Sequence, residues 1–195
     1  MAHHIYHTRG IILGSVPIGE SNRFYKIFTE ELGLVGASAQ SVREERSKLR
    51  YVLQDFAFIT IDLVRGKEVW RITSAGEAQS FPNIKNDTVR LKLFARMCAL
   101  ALRLIHGEGR EDELFRDMLG ALDFLEHAPI PPDLELSFET LATFRALVRL
   151  GYFDPEHYER FLEPGVWTTD LLTEFESVRV KVIPDINDAL HASQL

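Results

Sequence analysis

The sequence predicts an α+β protein of two domains, an N-terminal OB-type β-barrel over residues 1–81 and an α-helical domain over residues 82–195. Three observations predict it. Through the first 80 residues, short runs alternate apolar and polar side chains and are broken by glycines, as strands of a small sheet do. Beyond Phe81-Pro82-Asn83 the apolar residues recur at helical spacing instead. No helical segment links one strand to a parallel neighbour, so the strands do not read as βαβ units.

The strands follow in order. Ile5 to Val16 is β-branched and aromatic, and its Gly10 and Gly14 suggest a bulge or bend of the kind that curls a small barrel. Pro17-Ile18-Gly19 punctuates it. Arg23 to Thr29 alternates, with Phe24, Lys26 and Phe28 on one face and Tyr25 and Ile27 on the other. Leu32-Gly33 turns the chain, and Val35, Ala37 and Ala39 share one face of the return strand. Phe56 to Arg65 alternates most cleanly, with Ala57, Ile59, Ile61 and Leu63 opposite Phe58, Thr60 and Asp62. Arg65-Gly66-Lys67 turns into a last strand, Glu68 to Ser74. Five strands in this order fit a partly open Greek-key barrel of the OB type; an SH3-like barrel would give much the same pattern.

The second half reads as a helical bundle. Asn86-Asp87 can cap a helix carrying Val89, Leu91, Phe94, Met97, Cys98, Leu100, Leu104 and Ile105 as its stripe, stopped by Gly107 and Gly109. A second helix is expected over Glu111 to Glu126, with acids in its first turn where the helix dipole favours them. A third is expected over Leu134 to Leu150, and a short one over Glu156 to Leu162. Thr169 or Asp170 can cap a last helix from Leu171 to Val182, which Pro184 is expected to interrupt before Asp185 to His191 resumes.

Composition narrows the function. With 46% hydrophobic and 26% charged residues the chain is of ordinary globular make-up. No apolar run reaches the roughly 20 residues of a membrane span, and the N-terminus lacks a leader pattern. A cytoplasmic location without a membrane partner is expected. The single cysteine, Cys98, excludes an intrachain disulfide or a multi-cysteine zinc cluster. The net charge of −7 is unevenly spread: residues 1–80 carry 10 Lys and Arg against 9 Asp and Glu, and the remainder 12 against 20. Such an asymmetry suggests halves with different partners.

Catalytic chemistry is not written in the chain. No GxxxxGK[ST], HExxH or GxSxG motif occurs, so no catalytic residue, cofactor or metal is assigned. His3, His4 and His7 cluster near the terminus as exposed polar residues, and Cys98 lies within an apolar helical stripe as a buried thiol. The remaining signal is cationic. Arg43, Arg46, Lys48 and Arg50 fall within eight residues, joined by Arg9, Arg23, Lys26, Arg65, Lys67 and Arg71 across the barrel half. Barrels that bind single strands use such cations along phosphates and aromatic rings under bases. Tyr25, Tyr51 and Trp70 are the candidate stacking rings. Glu44 and Glu45 dilute the cluster, and a solvated loop remains the alternative reading.

The order of the pieces resembles the N-terminal domain of the RecO family, bacterial recombination mediators. The resemblance lies in Gly19-Glu20-Ser21-Asn22-Arg23, Thr29-Glu30-Glu31-Leu32-Gly33, Ser47-Lys48-Leu49-Arg50, the strand led by Phe56, and Ser74-Ala75-Gly76-Glu77 running to Phe81. Phe144 to Pro155, FRALVRLGYFDP, resembles the end of the family's third-helix region. The resemblance implies a non-enzymatic protein that binds single- and double-stranded DNA, anneals complementary strands and helps load RecA in DNA repair. It implies RecR and single-strand DNA-binding protein as partners, with RecA reached indirectly. Many members carry a four-cysteine zinc element after the GYxP phrase, which a chain with Cys98 alone does not supply. The portion after Pro155 reads as a shortened form. Docking of an acidic tail would require a basic pocket around Arg145, Arg149, Arg179 or Lys181. The alternative function is a protein-interaction adaptor whose OB-type barrel has lost strong DNA affinity.

Overall fold

The computed structural model describes residues 4–192, so His3 of the histidine group lies outside the described residues. The chain forms two compact units. One takes in the chain up to Ser80 together with His106–Arg110; the other takes in Phe81–Ile105 and the chain from Glu111 onward.

In the first unit β1 (Ile5–Ile18), β2 (Asn22–Thr29), β3 (Gly33–Ala39), β4 (Phe58–Arg65) and β5 (Trp70–Gln79) close a barrel in the order β1-β2-β3-β5-β4. The β3–β5 pairing is parallel and every other pairing antiparallel. A short helix, α1 (Leu49–Val52), lies in the connection from β3 to β4. This is the OB type of barrel, and it resolves the alternative the strand count left open. β1 is long enough to serve two neighbours. Ile5–Ile11 pairs with β4 and Gly10–Ile18 with β2, and the register shifts between Ile12 and Gly14, where the glycines predict a bulge.

Alternation decides what enters the barrel. Tyr25, Ile27, Val35, Ala37, Ile59, Ile61, Leu63 and Trp70 point inward and are buried, joined by Val42 and Leu53 from the β3–β4 connection. Each large apolar side chain so buried contributes about 1.5–3 kcal/mol. β4 begins at Phe58 rather than Phe56, because Phe56 takes a left-handed turn conformation, φ 69°. Its N–H donates to the Ile12 carbonyl at 2.8 Å. β5 runs on to Gln79, beyond the Ser74 that alternation alone marks.

The second unit holds α2 (Pro82–Asn86), α3 (Thr88–Leu104), α4 (Asp112–His127), α5 (Glu135–Arg149) and α6 (Thr169–Ala192). Asp87 caps α3, accepting from the backbone N–H of Val89 at 2.8 Å and of Arg90 at 3.2 Å. Those bonds, the one from Arg90 foremost, hold its carboxyl below the usual range. The expected short helix before Pro164 is reduced to one turn, Glu159–Phe161. Pro184 does not interrupt the last helix; it lies inside a continuous α6. Its position is exposed, and so is Val180 one turn before it, so water can serve the carbonyl that loses its backbone donor.

A buried ion network ties this unit together. Asp117, fully enclosed on α4, accepts from Arg145 at 3.2 Å, Arg149 at 3.0 Å and the Gly165 N–H at 2.9 Å. Arg145 also donates to the Phe161 carbonyl at 2.8 Å and lies 4.6 Å from the Trp167 ring centre. Burial pushes its guanidinium down to about 10, opposed by Asp117. Arg149 further pairs with Glu113 at 2.7 Å, and Arg179 with Glu176. The basic pocket that an acidic tail would require is therefore not formed by Arg145 and Arg149, which are spent on α4 carboxylates. Among the described residues, no helix is long and apolar enough to cross a membrane. No group of three potential metal ligands comes together among them either.

Candidate nucleic-acid interface

The outer face of β2 and β3 and the β4–β5 turn form the part of an OB barrel open to a ligand. The pleat sends alternate residues outward there, and the pairing places them in rows. Phe24 is opposite Ser38, and Ser38 opposite Arg71, so Phe24, Ser38 and Arg71 form one row across β2, β3 and β5. Lys26 stands opposite Gly36 in the next row. A β-carbon on Gly36 would fall 2.6 Å from Phe24 Cζ, so glycine is what lets the ring lie flat across the neighbouring strand. Lys26 Nζ sits 5.6 Å from the centre of that ring. The result is a half-exposed aromatic ring with a lysine beside it and Arg71 further along its row.

The β1–β2 and β3–β4 connections meet at the same end of the face. Arg43 donates from its backbone to the Ser21 carbonyl and from Nη1 to the Gly19 carbonyl, both at 3.0 Å. Ser41, in a left-handed conformation, donates its N–H to Asn22 Oδ1 at 2.9 Å. Gln40 accepts from Arg71 at 3.4 Å. The stretch Gln40–Arg43 that follows β3 thus holds Arg71 through Gln40, and through Arg43 it is tied to the β1–β2 connection.

The ten predicted cations divide by what holds them. Arg9 is spent on Glu30, as a two-pronged pair at 2.7 and 2.8 Å. Arg46 pairs with Glu44 at 3.0 Å and Arg65 with Glu108 at 2.5 Å. Arg23 is half-buried and donates to Ser15, which itself donates to Asp55. Lys26, Arg43, Lys48, Arg50, Lys67 and Arg71 are exposed and, among the described residues, pair with no carboxylate. Lys48 and Arg50 flank the start of α1, and Lys67 lies in the β4–β5 turn. The diluting acid Glu44 serves its own loop, where hydrogen bonds from Ser41 and then Arg46 hold its carboxyl below the usual range.

The predicted stacking rings are corrected. Tyr25 is enclosed in the barrel core and Trp70 nearly so, hence neither offers a face to a base. Tyr51 is 71% exposed, with the Arg50 guanidinium 5.5 Å from its ring centre. Sequence reasoning missed Phe24, although the alternation carried the signal: Phe24 shares its face with Lys26, and a lysine marks the outer face of a barrel strand.

Residues 1–81 match the family described as Recombination protein O N terminal. The chain is similar to proteins named DNA repair protein RecO. One from Dehalococcoides mccartyi is 32% identical over 124 residues, covering 64% of this chain and 49% of that protein. One from Rubrobacter xylanophilus is 32% identical over 122 residues, covering 63% and 49%. One from Clostridium novyi is 29% identical over 153 residues, covering 78% and 59%. The chain spans about half the length of the first two.

Proposed function

We propose, from the premise that residues 1–81 are an N-terminal domain of the RecO family, that this chain serves in DNA repair as a non-enzymatic DNA-binding mediator. The observation that carries the reading is the outer face of β2 and β3, where half-exposed Phe24 has Lys26 beside its ring and Arg71 in its row, with Arg43 in the loop after β3, none of these cations paired with a carboxylate among the described residues. Cations on such a face take backbone phosphates, and a half-exposed ring supports an unpaired base. Lys48, Arg50 and Lys67 extend the phosphate track on either side.

Annealing needs no covalent chemistry. Two strands repel through their phosphates, and cations that neutralise part of that charge let complementary bases approach and pair. On this reading the chain binds single- and double-stranded DNA in the cytoplasm, pairs strands, and helps place RecA on single strands, together with RecR and single-strand DNA-binding protein. An adaptor reading draws support from Arg9, Arg46 and Arg65, whose pairing with Glu30, Glu44 and Glu108 lowers the charge the barrel can offer.

The test is fluorescence anisotropy with a labelled single strand at two salt concentrations. Salt-steepened binding, weakened by replacing Lys26, Arg43 and Arg71 together with alanine, is expected. Absence of binding by the wild-type chain at low salt would favour the adaptor.

A further inference from the structure

Arg65 and Trp70 face each other at the two ends of the β4–β5 turn. Both donate to one carboxylate: Arg65 Nη1 to Glu108 Oε2 at 2.5 Å, and Trp70 Nε1 to Glu108 Oε1 at 2.9 Å. The Arg65 guanidinium also lies 4.9 Å from the Trp70 ring centre. Glu108 reaches this position because His106–Arg110 is part of the barrel unit. Gly33, at φ +67°, makes room for it: a β-carbon there would fall 1.9 Å from the Gly109 carbonyl oxygen. The carboxylate is thus held against Arg65, which lines one cleft at the β4–β5 turn with Lys67 and Arg71; neither of those two pairs with an acid among the described residues.

Towards a guanidinium, a carboxylate and a backbone phosphate are alternatives, each an anionic pair of oxygens that accepts the same N–H donors. We propose that Glu108 is an internal competitor of the nucleic-acid backbone, occupying Arg65 and thereby setting the affinity of the β4–β5 end for phosphate. The proposal rests on the nucleic-acid reading above. Three features favour competition over a purely structural bond. The side chains of Arg65 and Glu108 are 63% and 39% exposed, and an ion pair so placed adds little to stability. Trp70 holds one carboxylate oxygen, so the loop stays anchored when Arg65 turns to another anion. A phosphate that replaces Glu108 also releases counterions, a gain the internal pair does not have.

Glu108→Gln keeps an oxygen for Trp70 and removes the charge that holds Arg65. Anisotropy titrations of the full chain with a mixed-sequence single strand, over a range of salt, compare the wild type, Glu108→Gln, Arg65→Ala and the double variant. Glu108→Gln is expected to bind about two- to fivefold tighter at low salt, the scale of one exposed ion pair. Its log–log salt slope should steepen by about 0.7, the value for one further phosphate. In the Arg65→Ala background the same change should have no effect. Should Glu108→Gln fail to fold by circular dichroism, Glu108→Ala carries the same expectation. Wild-type affinity and slope in the folded charge-removed variant would overturn the competition while leaving the nucleic-acid reading intact, as would a gain that survives Arg65→Ala. No salt-dependent binding by any variant, wild type included, would overturn both.

Discussion

Two adjacent aromatics show how much hangs on one residue of register. Phe24 and Tyr25 are neighbours in sequence, and the pleat sends Tyr25 into the core and Phe24 across Gly36 beside Lys26. Phe24→Ala is therefore expected to weaken single-strand binding by about 1–3 kcal/mol, the range for one stacked base, with little change for duplex. Tyr25→Phe should leave both unchanged, since its ring meets only barrel side chains. Paired anisotropy titrations with single- and double-stranded oligonucleotides check this; equal losses on both substrates for Phe24→Ala would contradict stacking. The core position of Tyr25 was legible from its alternation with Lys26. That of Trp70 was not, because it follows from pairing opposite Ala37, 33 residues away in a different hairpin. Cys98 behaves as its apolar stripe predicts: burial pushes its thiol up, and it should react with a thiol reagent only on unfolding.

At the scale of elements, the helices were readable from their stripes while their charged contacts were not. Arg145 and Asp117 sit 28 residues apart on α5 and α4, and nothing local marks either as buried. Charged residues are rarely enclosed, so the sequence alone favours an exposed arginine. Asp117→Ala would strand Arg145 without its carboxylate and is expected to cost about 3–5 kcal/mol in urea unfolding followed by circular dichroism. A loss below about 1 kcal/mol would show that the network does not hold the unit. Glu176 supplies a pH dependence. Hydrogen bonds from Arg179 and Ser137 hold its carboxyl down to about 2, below its unfolded value. A depressed folded value means its contribution is present above the unfolded pKa of about 4.3 and fades as pH falls towards 2. Glu176→Gln should therefore flatten the acid limb of a melting-temperature profile between those limits. α6 passes through Pro184 because that position is on its exposed side, a fact of packing that the proline itself does not announce.

For the whole molecule, the −7 charge conceals a division of labour in how charges are spent. The barrel half is near balance, yet six of its cations stay exposed and unpaired among the described residues, while several arginines of the acidic half answer carboxylates at close range. Clustering on one barrel face, rather than net excess, is what would draw a polyanion. The relationship over residues 1–81 was legible because its motifs fall in and around the connections that shape that face, Gly19–Arg23 and Ser47–Arg50 among them. Glu108 was not legible, since its contact with Arg65 spans 43 residues. The most direct measurement is the salt dependence of single-strand affinity for the wild type and for the variant with Lys26, Arg43 and Arg71 changed to alanine. The wild type should lose affinity steeply as salt rises. The variant should bind more weakly with a log–log slope shallower by about 2, because three phosphates are no longer neutralised. Identical slopes and affinities in the folded variant would contradict the placement of DNA on this face.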